Sequence, residues 1–182
     1  MGEQETDAAV ARARLRLLAA EFTTPRATRR AAAGRRTPTT APREPINLDI
    51  LDHLTKSTRE IVDYTREVVP DADPPPATAE GIYGWMVKLT PHLDVDRQMV
   101  RDAIIHRQAL EHAIAMGDKD VIRYEECPGC TCWSLFWRYG EDQAACVNRY
   151  CADQLGRPSL WTLQQIAEHY VDVKYAARKA AT

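Results

Sequence analysis

The chain has 182 residues, 45% of them hydrophobic, with 24 Lys and Arg against 26 Asp and Glu. A net charge of −2 excludes a uniformly basic nucleic-acid coat but not a local basic patch. A mean hydropathy of −0.45 and eleven prolines confine the core to part of the length, and no run nears the ~18 apolar residues of a transmembrane helix.

The start, Met1-Gly2-Glu3-Gln4-Glu5-Thr6-Asp7, is acidic and lacks the form of a secretory signal, so a cytoplasmic location is expected. Thiols stay reduced there, and five cysteines then read as metal ligands or buried thiols before disulfides. Charge falls into three blocks: +4 over residues 1–45, −6 over 46–120 and zero over 121–182.

Residues 7–22 suit a short helix capped by Asp7, with Arg12, Arg14 and Arg16 among Ala and Leu. Residues 23–45 are rich in Thr, Pro, Ala and Arg. Their apolar content is too low to offset the entropy of ordering, which predicts a disordered basic arm. The arm is either a solvated tether or a weak phosphate-binding segment carrying Arg26, Arg29, Arg30, Arg35, Arg36 and Arg43.

An acidic helical bundle is expected over 46–120. Its first helix, 46–69, aligns Ile50, Leu54, Ile61, Tyr64 and Val68, and a stiff acidic turn follows from Pro70 to Pro76. The second runs from a Thr78 cap to Leu89, with Ile82, Trp85, Met86 and Leu89 as its apolar face. The third runs from an Asp94 cap to Met116, with Met99, Ala103, His106, Leu110, Ala113 and Ile114 inward and Gly117 as C-terminal cap. His106 and His112 are six apart and so do not share one helical face, His53 and His92 have no acid–base partner at useful spacing, and all four read as structural or solvent-facing.

Residues 121–157 carry the strongest pattern, C-x2-C-x15-C-x4-C, formed by Cys127, Cys130, Cys146 and Cys151. Two thiolate-bearing turns brought together by a hairpin make a tetrahedral zinc ribbon. Buried thiols and an iron–sulfur centre are the alternatives. Cys132 is surplus, although it could displace Cys130 as ligand. Thr131 stands where a knuckle often has Gly, which predicts local strain. Trp133, Leu135, Trp137 and Tyr139 alternate with Ser134, Phe136 and Arg138 as in a half-buried strand, and Gly140-Glu141-Asp142 supplies the turn. Trp133, Trp137 and Tyr139 are expected to pack inward, while Phe136 and Arg138, on the other face, could stack on nucleic-acid bases. Four thiolates leave no open coordination position for a reactive water, and the chain has no P-loop or other catalytic motif. The expectation is therefore no enzyme and no small-molecule substrate.

In the tail, 158–182, Thr162 and Gln165 are spaced as a capping box. The segment resembles the helix-turn-helix of bacterial and phage regulators. Ile166-Ala167 matches the small-and-apolar pair of the first helix, Tyr170 its last core position and Val173 the turn's aliphatic residue. Ala177 and Ala180 match the core side of a second helix. That resemblance implies Lys174, Arg178 and Lys179 toward DNA. Val171, where the turn has Gly, departs from it, and a single amphipathic helix packed on the hairpin is the other reading.

The last third as a whole, with C-P-G-C…C-V-N-R-Y-C and T-L-Q-Q-I-A-E-H, resembles small zinc-ribbon proteins of actinobacterial phages and prophages. That resemblance implies a phage protein in the bacterial host cytoplasm, with DNA binding suspected. The fold expected is mainly α: a small helical bundle, a four-cysteine zinc-ribbon β-hairpin and a C-terminal helix or helix-turn-helix after a disordered basic arm. The function expected is a zinc-stabilised DNA-binding accessory or regulatory protein. The alternative is a protein-interaction adaptor using the acidic bundle and aromatic hairpin.

Overall fold

The structure is a computed structural model that describes residues 48–118 and 120–181. The helix expected at 7–22 and the arm at 23–45 lie outside those described residues. The chain is mainly helical with a small antiparallel sheet, and it divides into two compact units between Leu89 and Thr90.

The first unit contains α1 (Leu48–Val68) and α2 (Ala79–Leu89), which pack against each other. Ser57, Ile61, Tyr64 and Thr65 are buried on one face of α1, at the spacing of successive helical turns. The buried Thr65 hydroxyl donates to the Ile61 carbonyl at 2.7 Å, which satisfies it within the helix. The outer face carries exposed pairs such as Lys56–Asp52. Thr78 caps α2 as expected, accepting from the Gly81 N–H at 3.2 Å. Only glycine fits at 81, since a Cβ there would lie 2.8 Å from both Pro76 Cβ and Thr78 Oγ1.

In the second unit, α3 (Val95–Ala115) begins at Asp94, whose carboxylate accepts from the Arg97 N–H at 2.9 Å. It ends as the sequence indicates. Gly117 at φ +85° lets its own N–H reach Ile114 O and the Asp118 N–H reach Ala113 O, which satisfies two last-turn carbonyls. A short 3-10 helix, Asp120–Tyr124, follows and buries Ile122 completely.

The sheet comprises β1 (Leu135–Arg138), β2 (Gln143–Cys146) and β3 (Leu160–Trp161), antiparallel in that order. Leu135 faces Cys146 and Trp137 faces Ala144 across the hairpin, and Ala144 faces Trp161 across the second pair. The strand predicted over 133–139 is shorter than its alternation suggests. The turn before it continues to Ser134, whose N–H donates to Cys132 O, so Trp133 belongs to the turn and is exposed. Tyr139 lies beyond the strand and is exposed as well. Of that row, Leu135 is in the core and Trp137 packs against it.

α4 (Leu163–Ala180) runs unbroken, so the described C-terminal segment holds one helix and no helix-turn-helix. The physical reason is the absence of Gly or Pro between 163 and 180, together with an apolar stripe that stays in helical phase through Ile166, Ala167 and Val171. Val171, at the turn's glycine position in the resemblance, is a core residue at 1% exposure. Val173, assigned there as the buried turn residue, faces outward. The capping box is present: Thr162 and Gln165 bond reciprocally through side chain and backbone.

α4 is the packing partner of α3 within this unit. The Tyr170 ring stacks on His106 at 3.9 Å between centroids, and Tyr175 donates to Asp102 at 3.1 Å. His106 in turn meets Glu125 at 3.0 Å. The core joins the helices to the sheet through Leu110, Ile122, Leu135, Ala144 and Ile166, and it includes Cys127 and Cys146.

Candidate metal centre

The loop from Cys127 to Cys132 folds back on itself. The Cys127 N–H donates to Cys132 O at 3.0 Å, and Cys127 O accepts from the N–H groups of Cys130 and Thr131. This closure turns two thiols in one direction. It puts Thr131 at φ +55°, a conformation that β-branched residues rarely adopt, as the missing knuckle glycine predicts. Gly129 permits a close approach: a Cβ there would sit 2.9 Å from the Trp161 ring and 3.2 Å from Cys151 Sγ.

Cys146 arrives at the end of β2, and Cys151 on a 3-10 turn, Arg149–Cys151, that Asn148 caps through its side chain. The sulfurs of Cys127, Cys130, Cys146 and Cys151 all lie within 4.8 Å of one another. Cys127–Cys151 and Cys130–Cys146 are each separated by 3.7 Å. A disulfide needs about 2.05 Å. A tetrahedron of thiolates about 2.3 Å from a central ion has edges of about 3.8 Å. The spacing is that of a four-thiolate metal site, and these cysteines can hold a metal ion.

Polar neighbours surround the sulfurs. Ser134 Oγ lies 3.0 Å from Cys146 Sγ, Ser159 Oγ lies 3.6 Å from Cys151 Sγ, and Asn148 Nδ2 donates toward Cys130 Sγ at 3.5 Å. The Ser159 hydroxyl itself donates to Cys151 O, while a group that donates to a ligand sulfur, as Asn148 does toward Cys130, orients it and spreads its charge. In the metal-free protein the backbone N–H of Cys132 holds the Cys130 thiol down at about 6, and burial pushes Cys127 up to about 12. Cys132 is exposed and outside the four, with Asn148 Nδ2 at 3.6 Å from its sulfur. Sequence reasoning singled out the four cysteines that the structure brings together, but not Ser134, Ser159 or Asn148. Asn148 was visible only as a letter between two cysteines.

The outward residues of β1, Phe136 and Arg138, are exposed side by side. Arg138 pairs with Glu141 in the turn. The Arg123 guanidinium, from the 3-10 helix, lies 4.9 Å over the Phe136 ring, and Arg149 lies 5.0 Å over Tyr150. An open groove of about 390 Å³ is lined by Phe136, Arg138, Val147, Asn148 and Arg149 among others. Arg123 and Arg149 had no signal in the periodicity, because tertiary contacts bring them to this face.

The basic residues of the tail differ in their surroundings. Lys174 is 22% exposed with its Nζ 3.8 Å from Asp102, Arg178 lies 5.2 Å over the Tyr175 ring, and Lys179 is exposed. No described helix is long and apolar enough to cross a membrane. In comparisons with known proteins, the chain matches no family model, no curated protein and no solved structure.

Proposed function

We propose that Cys127, Cys130, Cys146 and Cys151 bind one structural zinc ion, and that the unit it closes is a non-enzymatic nucleic-acid-binding module with an accessory or regulatory role. Zinc is the natural choice for four thiolates at tetrahedral spacing, because it has no electronic preference for another geometry. With all four positions taken by sulfur, the ion organises the fold and does not activate water.

The observation that carries the binding role is the outer hairpin face, where Arg123 covers Phe136 beside Arg138 and Arg149. Guanidinium groups neutralise phosphates, and exposed rings stack on bases. The ion pairs that hold Arg123 to Asp120 and Arg138 to Glu141 are on the surface, where such pairs contribute little. A phosphate can therefore replace the carboxylate partner. Zinc serves this face directly, since Cys146 ends β2 and Asn148 joins the groove wall to Cys130. In this reading the arginines of residues 26–43 add nonspecific phosphate contacts, α4 is mainly scaffold, and DNA in a phage or prophage setting is the partner.

The test is binding of labelled DNA, single-stranded and duplex, across a salt series. The double variant Arg123→Ala/Arg149→Ala should bind more weakly, and its salt slope should flatten by roughly one unit per arginine. Because the comparison keeps the Arg-rich arm in both proteins, the arm cannot produce the difference. Equal affinity and slope in the two proteins would show that the hairpin face does not bind DNA.

A further inference from the structure

A second groove shares no lining residue with the first. It is lined by Tyr124, Glu126, Trp133 and, from α4, His169, Tyr170 and Val173, among others. Tyr124, Trp133 and Tyr170 are exposed, the first two by more than seven-tenths. Three open aromatic rings around one groove exceed the scattered apolar residues of an ordinary surface.

The groove is built and held. The Trp133 indole N–H donates to Glu126 Oε1 at 3.3 Å, which fixes the ring beside a carboxylate. Glu126 Oε2 stands 3.9 Å from His169 Nε2. Tyr170 is backed by His106, and His106 by Glu125, which also lines the groove. Tyr124 ends the 3-10 helix that Ile122 anchors in the core. Two carboxylates and three ring faces concentrate negative potential. Lys174, which also lines the groove, is engaged with Asp102. Aromatic faces attract organic cations through their quadrupole, and an adjacent carboxylate adds to the attraction. An anionic ligand would meet repulsion from Glu125 and Glu126, and a purely apolar one would strip water from the charged Glu126 carboxylate with no new charge to compensate.

We propose that this groove is a docking site for a basic segment of a partner protein, and that it takes an Arg or Lys side chain between Tyr124, Trp133 and Tyr170, with Glu126 as counter-ion. The guanidinium or ammonium lies over the rings and its donors face the carboxylate. The aliphatic stem covers Val173.

The experiment uses the full chain loaded with zinc and a hexa-arginine peptide as probe, followed by the Trp133 indole N–H signal in NMR. That signal is assigned by its loss in Trp133→Phe. The peptide should shift it, and a hexa-glutamate peptide should not. Read by titration calorimetry, which needs no Trp133 signal, Trp133→Ala should weaken binding by about threefold to thirtyfold, the range of one cation–π contact, and Glu126→Gln should weaken it through the lost counter-ion. Trp133→Ala leaves the net charge unchanged, so a diffuse attraction between a basic peptide and an acidic protein predicts no change for it. Zinc content verifies the fold of each variant, and Tyr124→Ala replaces any variant that loses metal. An unshifted Trp133 signal, affinity unchanged by these substitutions, or a Trp133 response to single-stranded DNA in place of the peptide would overturn the proposal.

Discussion

Among the five cysteines, chemistry depends on where the backbone points each sulfur. Cys127 and Cys146 are in the core, Cys130 and Cys151 complete the four, and Cys132 is exposed one turn away. Purified protein should therefore carry about one zinc per chain. Cys127→Ser should abolish binding, because a hydroxyl is a poor zinc ligand and the lost position is fully buried. Cys132→Ser should leave the stoichiometry unchanged. Metal analysis of both variants decides the ligand set, and full occupancy in Cys127→Ser would refute it. The four-cysteine cluster was legible in the sequence because the two pairs of cysteines are local, each closed by a short turn. The outer polar neighbours were not, since Ser134 and Ser159 lie beside sulfurs that are 12 and 8 residues away along the chain.

Single elements followed their end signals more faithfully than their predicted faces. Asp94, Gly117 and the Thr162–Gln165 box act where local chemistry places them, since a cap needs only the next few residues. The helix-turn-helix expectation failed for the complementary reason. Its signature rests on a handful of apolar positions that a continuous amphipathic helix also satisfies, and Val171 lacks the glycine that would break it. A direct measurement follows from this difference. Val171→Gly would suit a turn, but in α4 it removes a buried side chain and adds a flexible residue mid-helix. It should destabilise the second unit by roughly 3 kcal/mol, read from denaturant unfolding. An unchanged midpoint would mean that the helix is broken there.

At the scale of the molecule, the candidate metal site is part of the core, because Cys127 and Cys146 belong to the same cluster as Leu110, Ile122, Leu135 and Ile166. Binding energy at the thiolates is then folding energy for the unit from Thr90 onward. A chelator should lower the thermal midpoint of that unit and remove hydrogen-exchange protection from β1, β2 and the facing turns of α3 and α4. Readdition of zinc should restore both. Binding should also release protons, so metal affinity falls as pH falls. Protection unchanged by chelation would show that the core forms without the ion.

The sequence by itself determined what is local: two cysteine turns at metal spacing, helices with their caps, and a hairpin between the turns. Each depends on residues within a few positions of one another, so short-range sterics and hydrogen bonding are enough to decide it. Only the tertiary structure decided which faces those elements present. Trp133 alternates like a core residue, yet a turn at Cys132–Ser134 leaves it exposed beside Glu126. Lys174 is a surface charge in the sequence, but the packing of α4 on α3 brings it to Asp102. Arg123 and Phe136 are 13 positions apart and meet because Ile122 and Leu135 are buried in one core. Burial is a property of the whole packed unit, and no local pattern contains it.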